Sequence, residues 1–504
     1  MGIPSFYRLL CRKYARMLGG GAGRPAEWLC LDFNCAMYQV LRELPPGSGP
    51  VWEAEFRDAI CKYLREIVAL AAPTRGVYVS CDGVVCAAKR RQQRLRRFRS
   101  TGASGEAWDA TALTPGTAFM EALGRDLTAT GLGIAASGAG LEVIVSTTAE
   151  PGEGEHKLMA AMRARRPRTC TIYGLDADLI LLALLLDAET GCDVQLLREA
   201  QAFESRTAVG GFRHLCIREL GDVIAGGGAS VRAGRIRDYV ATMSLLGNDF
   251  LPHGLTRTVH DDGVQSLLGI LQRDLWAARR SVVCPVTGGL LREGVATIVR
   301  AWAATEERDM IRAVEAALVA RTARVRATDP VEAEKEEAER APARWCALGR
   351  LAAPTGALVS GWRSVIRDSW GAGRDGAAYL EGVAWVWDYY TGRAPICQGW
   401  VYDRHLPPLW EDLVASLDAS ESGPVLSPPP VRWGTALPAW THLLAVLSED
   451  SARRLLPAER LGLLRTAPWY WPKSWTLFDV GRTMLWQCEP VLPLIPEERL
   501  RELV

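Results

Sequence analysis

Short apolar runs alternate with helical patterns along the first third of the chain. Runs of this kind, rich in branched and aromatic residues, are typical of buried strands. Four of them are WLCLDF at 28–33, GVYVSCDG at 76–83, LEVIVST at 141–147 and TCTIYGLDADLILLALLL at 169–186. Strands separated by helices are characteristic of βαβ units. The pattern therefore predicts an α/β fold with a mainly parallel central sheet flanked by helices.

The remainder of the chain is predicted to be rich in helix. The segment RIRDYVATMSLLGNDF, which ends at position 250, has helical periodicity. The charged stretch VEAEKEEAERAPARW has no apolar face and predicts a solvated linker helix. Beyond it lies an aromatic-rich segment that contains Trp385, Trp387, Trp400 and Trp410. We therefore expect three parts, at 1–325, 326–348 and 349–504.

The composition is that of an ordinary globular protein. The 504 residues are 48% hydrophobic and 23% charged, with a formal net charge of +1. The longest apolar run, at 179–186, is far shorter than the ~20 residues that span a bilayer. The first residues, MGIPSFYRLLCRKY, carry charge where a secretion signal would be apolar. Membrane association and secretion are therefore not expected.

Cysteine spacing limits the compartment and the metal chemistry. The chain has 13 cysteines, none of them in a Cys-x-x-Cys pair. This spacing disfavours a zinc finger or a disulfide framework. Reduced thiols are typical of intracellular proteins, so we expect a cytoplasmic protein, with the nucleus as the alternative.

Acidic residues fall where the predicted strands and helices end. The carboxyl ends of strands in an open α/β sheet are where sites form, and like charges held there raise one another's pKa unless a cation is present. Oxygen ligands without cysteine suit Mg²⁺ or Mn²⁺. An extended backbone would also aim pairs with i, i+2 spacing to one side. For any single acid the alternative is a solvated residue or a helix cap. The set is Asp32, Asp82, Glu153, Glu155, Asp176, Asp178 and Asp249.

A basic segment follows Asp82 after a short loop. KRRQQRLRRFR at 89–99 has seven basic residues in eleven. On a helix, Lys89, Gln93, Arg96 and Arg97 share one face, and guanidinium groups can bind a phosphate in bidentate fashion. Basic runs are also common on solvated surfaces. The position beside a candidate metal ligand favours phosphate binding.

Several motifs, in order and spacing, carry a family resemblance. They are MGIPSFYRLLCRKY, LDFN, CDGVVCAAKRRQQRLRRFRS, PGEGEHKLM, YGLDADLILLALL and LLGNDFLPH. Together they resemble the catalytic region of Xrn-type 5′→3′ exoribonucleases, which are part of the flap-endonuclease superfamily with its PIN-like nuclease core. YLEGVAWVWDYYTGRAPICQGW and WQCEPVLPLIPEERL look like that family's second conserved region. The compact length and the bias toward arginine over lysine would suit a viral member.

The resemblance implies a Mg²⁺-dependent enzyme that removes nucleotides processively from single-stranded RNA with a 5′-monophosphate, as in mRNA decay. The seven acids match the family's ligands for two metal ions, for which Mn²⁺ is an alternative. Lys89, Gln93, Arg96 and Arg97 match its 5′-phosphate pocket. The region 1–325 is then the nuclease region, and 349–504 packs on it and braces the active site. A monomer is expected.

The sequence departs from the family at the base-stacking positions. Tyr38 stands where the family has a histidine; it can stack on a base but carries no positive charge. Trp400 is the candidate for the opposing aromatic, although Gln398 stands where relatives often have another tryptophan. For one tryptophan among 18, core packing is an equal alternative.

His156 and His253 are predicted to be structural rather than catalytic.

Two other functions remain open. A structure-specific 5′ flap or DNA nuclease is the alternative with the same chemistry. An RNA-binding scaffold without catalysis is the third possibility, and the presence of all seven acids speaks against it.

Overall fold

The computed structural model describes residues 6–100, 108–137, 140–200, 211–259, 261–327, 329–345, 347–419 and 423–504. Seven of the strands form one sheet, in the order β1-β7-β6-β5-β2-β3-β4. A separate two-stranded sheet joins β8 and β9. The strands are β1 Leu18–Gly20, β2 Trp28–Asp32, β3 Gly76–Ser80, β4 Glu142–Ser146, β5 Thr169–Tyr173, β6 Asp193–Glu199, β7 Phe212–Cys216, β8 Leu477–Phe478 and β9 Glu489–Pro490.

The large sheet is parallel except at one edge. Strands β2 to β6 pair in parallel, whereas β7 is antiparallel to β6 and β1 is antiparallel to β7. Strand β2 lies between β3 and β5, so the chain winds outward from β2 in both directions. The carboxyl end of β2 is thus a topological switch point, where open α/β sheets place their sites. The predicted mainly parallel sheet is confirmed.

Helices flank the sheet and make up most of the remaining structure. Within residues 1–325 they are α1 Phe6–Lys13, α2 Asn34–Glu43, α3 Pro50–Ala71, α4 Ala87–Ser100, α5 Ala118–Ala136, α6 Gly154–Arg165, α7 Asp178–Thr190, α8 Ile217–Ala225, α9 Ala229–Met243, α10 Gly263–Ile270, α11 Arg292–Ala303 and α12 Glu306–Thr322. Beyond that range are α13 Pro330–Glu339, α14 Ala341–Trp345, α15 Trp362–Ser364, α16 Ala377–Thr391, α17 Trp410–Ala419, α18 Ala439–Val446, α19 Glu449–Leu455, α20 Gly462–Thr466 and α21 Glu497–Arg501. Within the described ranges, each helix is too short or too polar to span a bilayer.

The predicted strand at 169–186 is wrong in its second half. Strand β5 ends at Tyr173, and the apolar run 179–186 lies in helix α7. Every side chain of that run is buried. A helix that is apolar on all sides has no amphipathic period, so a short run cannot be told from a buried strand. Leucine's helix propensity favours the helix. The predicted strands at 28–33, 76–83 and 141–147 are confirmed, and each observed strand is shorter than the predicted one.

The C-terminal region packs against helix α4, as predicted. Arg90 forms a buried ion pair with Glu497. Arg94 donates hydrogen bonds to the carbonyl oxygens of Ala445 and Tyr470. The predicted linker at 331–345 is helical and is mostly exposed. The division into three parts stays a prediction, because contacts between the regions do not define independent folding units.

A tight contact joins the loops that follow β3 and β4. The N–H of Gly83 donates to the carbonyl of Gly152 at 2.8 Å, and the N–H of Gly152 donates to the carbonyl of Val84 at 2.9 Å. A Cβ at position 83 would lie 1.9 Å from the carbonyl oxygen of Glu150. Only glycine fits this approach, which aligns Asp82 with the start of α6.

We expect Gly83→Ala to lower the free energy of unfolding by about 1 to 3 kcal/mol, because the methyl group would force the two loops apart. The measurement is the midpoint of thermal unfolding. Gly133→Ala is the matched control, since its Cβ on the exposed side of α5 would meet nothing within 4 Å. That change should raise stability by up to about 1 kcal/mol. Equal midpoints for Gly83→Ala and wild type would contradict the close contact.

Candidate active site

A cleft of about 200 Å³ opens at the carboxyl ends of the parallel strands. Acids line one part of it. The face of α4 that carries Lys89, Gln93, Arg96 and Arg97, called its front face below, lines another part, so opposite charges share one cavity. The acids in the lining are Asp32, Asp82, Glu153, Glu155 and Asp176; the donors from α4 are Lys89, Gln92, Gln93, Arg96 and Arg97; Asn34, Cys35, Tyr38 and Arg42 come from α2, and Leu113, Pro115 and Leu175 complete the wall.

The ends of β2 and β3 hold the first two acids together. Asp32 is the last residue of β2, and Asp82 follows β3 by two residues. The N–H of Asp82 donates to Oδ1 of Asn34 at 3.3 Å. Oδ1 of Asp82 in turn accepts from the N–H of Gly154 at 2.7 Å. A Cβ at position 154 would lie 3.0 Å from Oδ1 of Asp32. The start of α6 is thus packed directly onto both strand ends.

The starts of two helices, rather than continuous extended strands, place the next three acids. Glu153 is the residue before α6 and Glu155 lies in its first turn. Asp178 is the first residue of α7, and the preceding Ala177 is already helical, with φ −76° and ψ −23°. The predicted i, i+2 extended spacing is therefore wrong for these pairs. The partial positive charge of each helix N-terminus stabilises carboxylates there.

Burial raises the pKa of several acids in this cluster. Burial first, and then the carboxylate of Asp82, raise the pKa of Asp32 well above its ordinary value. Burial, followed by repulsion from Asp178, does the same to the pKa of Glu155. Burial raises the pKa of Asp178 to about 7, with a further contribution from Asp249. A cation among these groups would restore their ionised forms.

The donor set fits a hard divalent cation. Oε2 of Glu155 and Oδ1 of Asp178 are buried and have no hydrogen-bond partner among the described residues. Glu153, Glu155 and His156 offer ligand atoms that lie within 4.8 Å of one another. Buried oxygen atoms without partners are unfavourable unless they coordinate an ion or water. Carboxylate oxygens are the ligands that Mg²⁺ and Mn²⁺ favour.

Lys89 connects the acid cluster to α4 and to Asp249. Its Nζ lies 2.5 Å from Oε2 of Glu153 and 2.8 Å from Oδ2 of Asp249. Burial alone would lower the pKa of Lys89, but Asp249 and Glu153 hold it well above its ordinary value. The loop that carries Asp249 is closed by Asn248, whose Oδ1 accepts from the N–H groups of Phe250 and Leu251 at 2.9 and 2.8 Å. The structure therefore brings Asp249 to the other six acids.

Helix α4 presents its remaining front-face donors to the cleft. Arg97 donates from Nη2 to the hydroxyl of Thr114 at 2.7 Å and lies 3.5 Å from Oε1 of Gln93. Burial lowers the pKa of Arg97 to about 10, so that it remains a cation at neutral pH. Arg96 also lines the cleft. All four predicted phosphate donors therefore share this cavity with the acids.

The two predicted stacking aromatics are not placed alike. Tyr38 lines the cleft. Trp400 is not among the described residues that line it, and its ring instead packs on Trp385 with centroids 4.7 Å apart. His156 packs half-buried against Tyr389, with ring centroids 4.0 Å apart, and its removal from solvent lowers its pKa to about 3. His253 contacts Arg482 through Nδ1 at 3.2 Å.

Sequence reasoning missed Tyr389, which comes from the C-terminal region. Its hydroxyl donates to Oε1 of Glu153 at 2.5 Å. Its ring stacks on Trp385 with centroids 5.0 Å apart, and the edge of Phe250 packs against it at 5.2 Å. The four-residue spacing of Trp385 and Tyr389 indicates that they share one face of a helix, but it does not identify Glu153 as the partner of Tyr389. Helix α16 thus touches the acid cluster directly.

Comparison with known proteins shows what the chain is similar to. The family described as XRN 5′-3′ exonuclease N-terminus matches residues 1–107 and 101–200. The chain is 30% identical over 372 residues to 5′-3′ exoribonuclease 2 of Debaryomyces hansenii, a match that covers 56% of this chain and 36% of that protein. It is 27% identical over 393 residues to 5′-3′ exoribonuclease 2 of Schizosaccharomyces pombe, covering 60% and 38%.

These matches confirm the resemblance inferred from the motifs, but they span well under half the length of the curated relatives. Among solved structures, the catalytic core of Rad2 in complex with DNA substrate is similar at 13% identity and a TM-score of 0.36, covering 81% of this chain and 90% of that one. A likeness at that level adds nothing about function.

We expect Tyr389→Phe to weaken Mn²⁺ binding about tenfold, because partners that orient a ligating carboxylate contribute about that much to metal affinity. The measurement is isothermal titration calorimetry. Tyr379→Phe is the matched control on the same helix, since its hydroxyl lies at 3.5 Å from the carbonyl of Pro252. The control should bind Mn²⁺ like wild type. Unchanged affinity in Tyr389→Phe would mean that the hydroxyl does not position Glu153.

Proposed function

We propose, from the match of residues 1–200 to the N-terminus of the XRN 5′-3′ exonucleases, that this chain is a Mg²⁺-dependent 5′→3′ exoribonuclease. Its substrate is single-stranded RNA with a 5′-monophosphate. The observation that carries the proposal is the shared cleft, in which a buried acid cluster lies beside a buried basic helix face. That combination suits the cleavage of a phosphodiester next to a terminal phosphate.

The seven acids are proposed to hold the metal ions. Glu155 and Asp178 contribute buried oxygens that have no hydrogen-bond partner in the described structure, and Glu153 is oriented by Tyr389. Two Mg²⁺ ions, when bound, would activate water and stabilise the leaving oxygen. The chain's own contribution is to hold the carboxylates in fixed positions, which the loop contacts around Gly83 and Gly154 support.

Helix α4 is proposed to select the terminal phosphate. Arg97 is held by Thr114 and lies beside Gln93, so its guanidinium is oriented before RNA binds, and Arg96 adds a second charge to the wall. Preorganised donors lose less freedom on binding. Lys89 pairs with acids in the structure and would contact the phosphate from the metal side. Base stacking on Tyr38 is consistent with its place in the lining, whereas a stacking role for Trp400 stays a prediction.

The arrangement of the cleft favours exonuclease action. The basic face of α4 lies beside the acids, so a terminal phosphate bound there would present the adjoining phosphodiester to them. Processive degradation in mRNA decay, a monomeric state and a location in the cytoplasm or nucleus are parts of the same proposal. The flap or DNA nuclease is the alternative that substrate tests must separate.

Asp178→Asn should reduce the rate of RNA degradation about a thousandfold, equivalent to about 4 kcal/mol of transition-state stabilisation. Decay of 5′-labelled and 3′-labelled monophosphate RNA gives the rate and the direction. Glu189→Gln, at the other end of α7, is the control and should degrade RNA normally. RNA binding without decay by the wild-type protein would favour the scaffold hypothesis. Activity of Asp178→Asn within tenfold of wild type would rule out the proposed cluster.

Monophosphate RNA should be degraded at least about tenfold faster than RNA with a 5′-hydroxyl, which leaves the cations of the pocket unpaired, or with a cap, which adds bulk at the phosphate. Arg97→Gln should remove most of this preference. Arg99→Gln should keep it, since Arg99 is exposed and donates to the carbonyl of Trp486 at 2.8 Å. A DNA duplex with a 5′ flap serves as a parallel substrate. Faster cleavage of the flap than of RNA would establish the alternative nuclease.

A further inference from the structure

A second cavity lies behind α4, and its volume of about 210 Å³ equals that of the cleft. It is lined from α4 by Arg90, Arg91, Arg94 and Leu95, which share the helix face opposite the phosphate donors. The C-terminal region supplies the other walls, from Val401, Trp433 and the segment 492–500. Six of the seven basic residues of α4 are thus divided between two separate cavities.

The charges around this cavity are not balanced. Arg90 is paired with Glu497, but Arg94 donates only to carbonyl oxygens, and its Nε is buried without a partner among the described residues. Arg91 makes no hydrogen bond or ion pair in the described part of the chain; Glu489 and Asp403 act on it only at longer range. Burial lowers the pKa of Arg94 to about 9. Buried cations without a carboxylate are costly.

Apart from Glu497, which pairs with Arg90, and the exposed Glu498, the rest of the lining is mostly apolar. Leu95, Val401 and Ile495 contribute side-chain surface, and Leu494 lies at the more exposed side of the cavity. An inorganic anion would leave this surface in contact with water, and a neutral apolar ligand would leave the guanidinium groups of Arg91 and Arg94 uncompensated. The lining is complementary to a ligand that has both a negative charge and an apolar body.

We propose that this cavity is a binding site for a small organic anion, whose carboxylate or phosphate accepts hydrogen bonds from Arg91 and Arg94 while a compact apolar body packs on Leu95 and Val401. Guanidinium groups bind such anions in bidentate fashion. The volume, below the roughly 300 Å³ of drug-sized pockets, limits the ligand to a compact apolar body, such as one ring on a short chain, beyond its charged group. The site is distinct from the cleft and does not depend on the proposed nuclease activity.

The probe is 3-phenylpropionate, titrated into the full chain by isothermal titration calorimetry. Inorganic phosphate and the neutral analogue 3-phenylpropanol are the two comparison ligands. We expect saturable binding of the carboxylate at one site and a higher midpoint of thermal unfolding in its presence, because a ligand that binds only the folded state stabilises it. Phosphate and the alcohol should bind at least about tenfold more weakly, because phosphate has no apolar body and the alcohol has no negative charge.

Two variants with the same substitution locate the site. Arg91→Gln should weaken binding at least about tenfold, the loss expected from one charge-assisted hydrogen bond. Arg96→Gln, on the opposite face of the same helix, should bind the probe like wild type. Leu494→Trp, which fills the cavity from its exposed side, should also abolish binding and supports the assignment if Arg91→Gln does not fold.

Three results would overturn the proposal. The first is no binding of the carboxylate up to about 10 mM, a concentration at which a ligand with a Kd near 1 mM would be detected. The second is binding that Arg96→Gln removes and Arg91→Gln does not, which would place the probe in the cleft. The third is equal binding of the carboxylate, phosphate and alcohol.

Discussion

The burial of a strongly basic helix between two regions of the chain is the constraint on which the remaining structure depends. Seven of the eleven residues from Lys89 to Arg99 are basic, and charges of one sign cannot be buried together without compensation. Lys89 is compensated by acids of the cluster, Arg90 by Glu497, and Arg94 in part by carbonyl oxygens. Helix α4 can therefore stay in place only when both the strand ends and the C-terminal region surround it.

The acid cluster has the complementary requirement. Its carboxylates are brought together by strand ends and helix N-termini, and burial raises the pKa of Asp32, Glu155 and Asp178. Lys89 from α4 and the hydroxyl of Tyr389 from α16 stabilise one member, Glu153. The acids and the basic helix thus stabilise each other, and the aromatic stack behind Tyr389 extends this network into the C-terminal region.

Much of the site could be predicted because strand order places it. Acids that follow buried strands converge at one edge of a parallel sheet wherever the strands lie in sequence, and the periodicity of α4 separates its donors from its other arginines. The prediction was wrong at 179–186, where a uniformly apolar run has no period that distinguishes helix from strand. For the same reason the local geometry of Asp176 and Asp178 was wrong, although their arrival at the site was expected.

The sequence by itself determined the parallel sheet and singled out the seven acids and the face of α4 that we propose binds phosphate, because each depends on local periodicity and on residue type. Tertiary structure alone decided the partners of the other α4 arginines, the contact of Tyr389 with Glu153 and the place of Trp400 outside the cleft. These depend on which surface of a distant segment packs where. Contacts such as Arg90 with Glu497, more than 400 positions apart, leave no period in the sequence and follow only from packing.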